Sequence, residues 1–270
     1  MSPESEGPQG PQRVAVVIPC QDVRNYIAAT VRACRAIPSV DLIVVVDDGS
    51  TDDTSQVARS AGAVAVRHSV PRGRASALET GVKVVAMRDR EDWPPRNLLF
   101  LSPDLGDSAV EANALVQAVN DKLADCAIGI SPENERGSRV RLHSVVWKGI
   151  RKSTGWDSAE PLSLHRCITR EAVTEIMPFA AGWGVDAGMT MDLLEDGFSI
   201  MEIPCNFQHL GLVKKEGLGH RRARYWDTWL AVKLRQLRRP RVKLAQRLAR
   251  GSQEVGEPYR LRERNARTSS

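Results

Sequence analysis

Residues 43–54 read IVVVDDGSTDDT, and this stretch decides the fold. A short, continuous run of branched apolar residues, Leu42 to Val46 after Asp41, breaks abruptly into acidic and glycine-containing turn chemistry. A run apolar at every position, rather than at alternate ones, reads as a strand buried on both faces, the habit of parallel sheets. The same pattern recurs on either side. RVAVVIP (13–19) predicts a buried strand closed by proline, AVAVRH (63–68) a short one, and RNLLFL (96–101) a fourth. Between them, residues 22–36 carry Ile27, Val31 and Cys34 at helical spacing. Residues 54–61 read as a second helix, and 72–87 as a helix opened by Gly73. Strand alternating with helix over about 100 residues predicts an α/β fold with a mostly parallel, doubly wound sheet flanked by helices.

Further along, the pattern predicts a helix over 108–123, a strand over 126–130 and a breaker-rich loop over 131–139. A helix over 140–152 and a strand or turn leading into a helix within 161–177 come next. Residues 186–197 have helical spacing with Gly197 as the C-terminal stop, and 199–210 alternate as a strand. Beyond Gly219, two basic amphipathic segments follow, separated by Pro240.

The composition is that of an ordinary water-soluble globular chain, 42% hydrophobic and 26% charged. No apolar run approaches the roughly 20 residues needed to cross a bilayer. The first 12 residues form a Pro/Gly/Ser-rich leader without a hydrophobic segment, unlike a secretory signal. Five scattered cysteines, none in a CxxC pair, argue against a disulfide framework or zinc site and for reduced thiols in a cytoplasmic setting. The net charge of +5 hides an asymmetry. Residues 214–270 hold 17 Lys/Arg against 5 Asp/Glu, a net of +12, so the rest of the chain is −7. An acidic body with a basic tail favours an anionic partner.

Candidate functional residues gather where strands end, because ligands of open parallel sheets bind at the carboxyl ends of the strands. Asp47 and Asp48 end the second strand, where a carboxylate can accept hydrogen bonds from a nucleobase or ribose; capping the turn is the competing role. Gly73 and Arg74 open a helix, where amide groups and a cation favour an anion. FLSPDLGDS (100–108) delivers Asp104 and Asp107 to a loop suited to a metal-bound diphosphate, with Ser102 where a second carboxylate would be useful. Neither GxGxxG after the first strand nor GxxxxGK[ST] occurs, which counts against dinucleotide and P-loop sites.

VVIPCQDVRNYIAATV (16–31), VVVDDGSTDDT (44–54), RGRASALETG (72–81) and FLSPDLGDS occur in the order and spacing of family 2 glycosyltransferases with the GT-A fold, which the chain resembles over roughly 13–225. PLSLHRCITREAV (161–173) and GWGVDAGMTMDLLEDGFSIMEIPCNFQHL (182–210) are similar to that family's acceptor half. The soluble bacterial members near polyprenyl-phosphate sugar synthases and glucosyl-phosphoglycerate synthases are the most alike. The resemblance implies inverting transfer from a nucleotide diphosphate-sugar to a hydroxyl or phosphate acceptor, a polyprenyl phosphate or small phosphorylated acid among the candidates. It implies Pro19 and Asp48 at the nucleobase and Arg74 near the donor phosphates. Ser102 and Asp104 fall in the metal motif, with Mg²⁺ or Mn²⁺ on Asp104. Asp186 would face the acceptor as base or stabilising carboxylate. His209 is a candidate second metal ligand, against a structural role at a strand end.

Two positions depart from the family pattern. Val23 stands where a Glu usually touches the base, and Ser102 replaces the first Asp of Asp-x-Asp, removing a full charge from the metal's surroundings. Both touch donor binding, so a catalytically degenerate nucleotide-sugar-binding or scaffold protein is the rival reading. The expected organisation is a leader (1–12), a domain over 13–220 with a nucleotide half to 107 and an acceptor half after it, and a basic helical tail over 221–270, disordered at its end. Residues 221–239 set Tyr225, Trp226, Trp229, Leu230, Val232, Leu234 and Leu237 among seven Lys/Arg. That pattern suits an anionic membrane surface under 221–250; packing of the two tryptophans on the acidic body is the alternative. No nucleic acid is expected as a partner.

Overall fold

A computed structural model describes residues 10–131, 141–211, 218–238 and 255–261. The expected alternation is realised as β1 (Val14–Cys20), α1 (Ile27–Arg35), β2 (Val40–Asp47), α2 (Thr54–Ser60), β3 (Val64–Arg67), α3 (Arg74–Ala86) and β4 (Asn97–Phe100). A 3-10 turn (Gly106–Ala112) then leads into α4 (Asn113–Asn120) and β5 (Cys126–Ile130). The second half comprises α5 (Arg141–Thr154), β6 (Arg166–Ile168), α6 (Arg170–Ile176), α7 (Val185–Glu195), β7 (Ser199–Pro204), α8 (Leu218–Arg238) and β8 (Tyr259–Arg260).

One sheet runs through the molecule in the order β3-β2-β1-β4-β6-β5-β7-β8. The first four strands are parallel, as are β5 and β7; β6 runs antiparallel between β4 and β5, and β8 antiparallel on β7. Two apolar layers cover the two faces. Along β1, Ala15 and Val17 enter one core, and Val14, Val16 and Ile18 the other, as the two-residue period of a strand dictates. Layers on both faces explain why these strands read as unbroken apolar runs.

Four expectations are corrected. The first helix starts at Ile27 rather than 22, because Asp22 takes a left-handed conformation (φ 53°) and its neighbours hydrogen-bond the turn after β2. The helix expected over 108–123 is a 3-10 turn followed by a shorter α-helix. The strand expected over 199–210 ends at Pro204, so His209 lies on an irregular segment and not at a strand end. Within the expected tail, Tyr259 returns to the sheet, stacks on Trp156 at 6.3 Å and donates its hydroxyl to Thr154 O at 2.7 Å. The loop expected over 131–139 and the basic segment beyond Pro240 lie almost wholly outside the described residues. All five cysteines are free and buried, and burial pushes the Cys34 thiol up to about 12.

Candidate active site

Pro19, Asp48 and the Ser102–Asp104 loop lie at the carboxyl ends of β1, β2 and β4, where a parallel sheet opens its crevice. Pro19 pairs in register with Val46, and the next amide pairing, Asp48 N to Cys20 O at 2.8 Å, sets the ends of β1 and β2 side by side.

The turn that decides the fold closes this end of the sheet. Asp47 is fully buried, accepting from Ser50 N at 2.8 Å and from the Ser55 hydroxyl. It serves the turn, the capping role weighed for it in the sequence. Ser50 Oγ and Thr54 Oγ1 accept from the amides of Asp22 and Val23 at 2.9 and 2.8 Å, and Asp22 Oδ1 accepts from Thr51 N at 2.7 Å. The loop after β1 is thereby stitched to the turn after β2. Val23 turns into the apolar layer with Ile27 and Val31.

Asp48 accepts from the amides of Arg72 at 2.8 Å and Gly73 at 2.7 Å and pairs with His68 Nδ1 at 2.7 Å. Burial opposes its charge, but the Arg72 amide, His68 and the Gly73 amide outweigh burial and hold the carboxyl below its ordinary value. Asp48 therefore fixes the approach to α3, and with it Arg74. Gly73, at φ 88°, supplies the left-handed step that turns the chain into the helix. His68 also reaches Thr80 Oγ1 at 3.0 Å.

Asp104 lies in the loop after β4, buried, with Oδ1 accepting from Ser102 Oγ at 2.6 Å and paired with His209 Nδ1 at 3.0 Å. Leu210 N donates to Asp104 O at 2.9 Å, which brings the 205–210 segment over the loop. Burial raises the Asp104 carboxyl, but hydrogen bonds from His209 and Ser102 outweigh it and leave the group below its usual range. His209 is raised by Asp104 against the opposing effect of burial. Thus one carboxylate and one imidazole share a site, and Ser102 orients the carboxylate instead of adding a charge.

Asp186, in the first turn of α7, meets Arg74, the first residue of α3: Nη2 to Oδ1 is 3.2 Å. Arg166 of β6 approaches the same carboxylate oxygen at 3.9 Å and donates to Ser163 O at 2.6 Å. Burial lowers the Arg74 pKa, the Asp186 charge opposes that fall, and Arg166 adds to it.

Two histidines and an arginine were not singled out in the sequence. His165 stacks near Phe207 and His209, with ring centroids 4.5 and 5.4 Å away, and burial with repulsion from His209 and Arg74 pushes its pKa down to about 3. It stays a neutral imidazole with Nε2 unpartnered. His68, one residue past the end of β3, had a usable signal in that position; Arg166, a cation inside the strand RCI, had one in its setting. Nothing in the local pattern marked His165.

The donors present fit a divalent cation of the Mg²⁺ type, which takes one or two carboxylates and completes its coordination with substrate phosphates and water. Among the described residues no three His, Cys, Asp or Glu side chains form a metal-holding group, so a cage made wholly by protein is not built here.

A profile of the Glycosyl transferase family 2 matches residues 15–164, which hold every element from β1 to the loop before β6. The chain belongs to glycosyl transferase family 2. An uncharacterized protein of Methanocaldococcus jannaschii is 30% identical over 116 residues, 43% of this chain and 45% of that one, so the match spans less than half of that relative. The polyprenol monophosphomannose synthase of Mycolicibacterium smegmatis is 28% identical over 230 residues, 79% of this chain and 85% of the other. A crystal structure of glucosyl-3-phosphoglycerate synthase from Mycobacterium tuberculosis, in complex with Mn²⁺, uridine diphosphate and glucosyl-3-phosphoglycerate, superposes with a TM-score of 0.64 at 21% identity. It covers 83% of this chain and 80% of that one. The GT-A fold of the family 2 enzymes is therefore the fold of this chain.

Proposed function

We propose that this family 2 protein transfers a sugar, with inversion, from a nucleotide diphosphate-sugar to a hydroxyl or phosphate acceptor. The observation that carries the reading is two charged pairs, Asp104 with His209 and Arg74 with Asp186, of which Asp104, His209 and Arg74 all act on the buried His165. In this reading Pro19 and Asp48 border the base, an acceptor-only carboxylate favouring a base edge that offers an N–H. Arg74 carries the positive charge near the leaving diphosphate, and Asp186 faces the acceptor across from it, as base or as the carboxylate that steadies the electron-poor sugar centre. Attack from the face opposite the diphosphate inverts the anomeric carbon. Asp104 and His209 would hold Mg²⁺ or Mn²⁺, which when bound supplies charge neutralisation on the diphosphate. The mycobacterial structure with Mn²⁺ and uridine diphosphate supports divalent metal use in this fold.

Ser102 and the core position of Val23 favour a second reading, in which the protein binds a nucleotide-sugar without turning it over. A thermal-shift screen of nucleotide-sugars, with and without Mn²⁺, followed by product detection for each hit, separates the two. Ligand at a hundred times its dissociation constant adds about 2.7 kcal/mol of stability. Stabilisation with sugar transfer supports the enzyme; stabilisation without transfer to any acceptor supports the scaffold. A cytoplasmic setting, with an anionic membrane surface as partner of 221–250, completes the reading. Among the described residues no helix is long and apolar enough to cross a membrane.

A further inference from the structure

Along α8, Trp226, Leu230, Leu234 and Leu237 recur at intervals of four, four and three, and so share one helix face. All four are between 43% and 78% exposed. The opposite face is committed: Ala231 and Val232 are buried, Arg235 forks onto Asp192, and Thr228 Oγ1 donates to Trp183 O at 3.2 Å. Between α8 and the 178–182 segment lies an open groove of about 380 Å³, lined by Pro178, Phe179, Leu230, Ala231 and Leu234 among others. Trp183, also exposed, flanks α8, with the Arg224 guanidinium 5.5 Å from its ring and its carbonyl accepting from Thr228. It precedes Asp186 by three residues, in the turn that starts α7.

A surface that leaves this much aromatic and aliphatic side chain in water marks a contact site. The charge around it selects the occupant. α8 itself, Leu218–Arg238, holds six Lys/Arg and one acid, Asp227. A second copy on this face would set one helix of net +5 against another, whereas an anionic lipid surface complements both the charge and the rings. Lys233, 5.8 Å from the Trp229 ring, borders the stripe as an interfacial lysine does.

We propose that the Trp226–Leu230–Leu234–Leu237 face of α8, together with Trp183, lies on an anionic lipid surface and turns the Asp186 end of the cleft toward the headgroups. The lipid contact stands on the surface alone; delivery of a lipid-linked acceptor to Asp186 rests on the glycosyltransferase reading. The contact is peripheral, with the rings at the depth of the headgroups and the body in water.

Co-sedimentation of the full chain with phosphatidylcholine vesicles, with and without phosphatidylglycerol, tests the contact. Binding is expected to the phosphatidylglycerol vesicles alone and to fall with added salt. The surface variant Trp226→Gln/Leu230→Gln/Leu237→Gln should lose binding by roughly tenfold or more, as expected for loss of interfacial apolar area. Trp183→Ser should weaken it with α8 intact. The same samples are titrated with nucleoside diphosphates and Mn²⁺: retained binding there alongside lost pelleting separates this face from the cleft, and absent nucleotide binding alongside normal pelleting sinks the enzymatic reading but not this one. Equal pelleting on both vesicle types, or pelleting unchanged in the triple variant, overturns the lipid contact. So does a wild-type dimer that the triple variant converts to a monomer without changing vesicle binding, which would make the face a joint between copies.

Discussion

Arg74 Nη2 lies 3.2 Å from Asp186 Oδ1, a bond that joins the first turn of α3 to the first turn of α7 across 112 positions of sequence. Each side of the cleft thus holds one partner of a single ion pair, and Arg166 approaches the same carboxylate from the sheet.

Asp186→Asn keeps the shape of this junction and removes its negative charge. The expected result is a fall in kcat on the order of 10²-fold or more, with donor affinity nearly unchanged. Titration calorimetry with the donor beside steady-state kinetics measures both. Turnover close to wild type would exclude Asp186 from the chemistry.

Metal dependence should run through Asp104. In Asp104→Ala, donor affinity in Mn²⁺ should drop to the value measured in chelator. Ser102→Asp restores the charge that the family pattern has at that position and should tighten Mn²⁺ roughly tenfold, because affinity follows the number of charged ligands. Manganese titration followed by electron paramagnetic resonance reads both changes. A weaker metal site in Ser102→Asp would give the Ser102–Asp104 hydrogen bond a role that a second carboxylate cannot fill.

Much of this was legible in the residues. The apolar runs 14–20 and 43–46 are strands because both faces of the sheet are covered, and a strand buried on both faces admits little else. Asp104 and Arg74 stand out as charges at the ends of elements, whereas Asp186 and His209 are marked through the resemblance to family 2, His209 at an expected strand end that the fold does not have. A strand or turn leading into a helix is expected within 161–177, where β6 and α6 lie. The antiparallel place of β6 between β4 and β5 is not legible, because three residues carry no periodicity that would fix their pairing. The strand β8 is two residues long and held by one tyrosine, so its place depends on contacts distant in sequence. His165 was missed for the same reason. Its surroundings come from the loop after β4, α3 and the segment after β7, which the chain brings together only when folded.

His165 should leave a mark on the pH dependence of stability. Its folded pKa, about 3, lies below the ordinary imidazole value of 6.5, so below pH 6.5 the unfolded chain takes up the proton first. Stability contributed by the neutral ring is therefore complete above 6.5 and lost as pH falls toward 3. His165→Phe removes that proton uptake. Its Tm should fall less steeply than that of wild type between pH 6.5 and 4, as followed by scanning calorimetry. Parallel slopes for the two proteins would show that the ring is protonated in the folded state.

Gly81 lets α3 lie close against β1. A Cβ there would collide with the Val17 side chain. In an open helix, Gly→Ala gains about 1 kcal/mol, whereas overpacking a filled core costs about 1–3 kcal/mol. The collision should win, and Gly81→Ala should lower the denaturant midpoint. A raised midpoint would mean that α3 can move off β1 at little cost.

The central claim is tested most directly by release of nucleoside diphosphate from a panel of nucleotide-sugars in Mn²⁺, with hydroxyl and phosphate acceptors supplied, comparing wild type with Asp104→Ala. The account predicts release with one donor class, matched by sugar appearing on the acceptor with inverted anomeric configuration, and loss of both in Asp104→Ala. Saturable binding of a nucleotide-sugar with no release and no glycosylated product under any acceptor would contradict it.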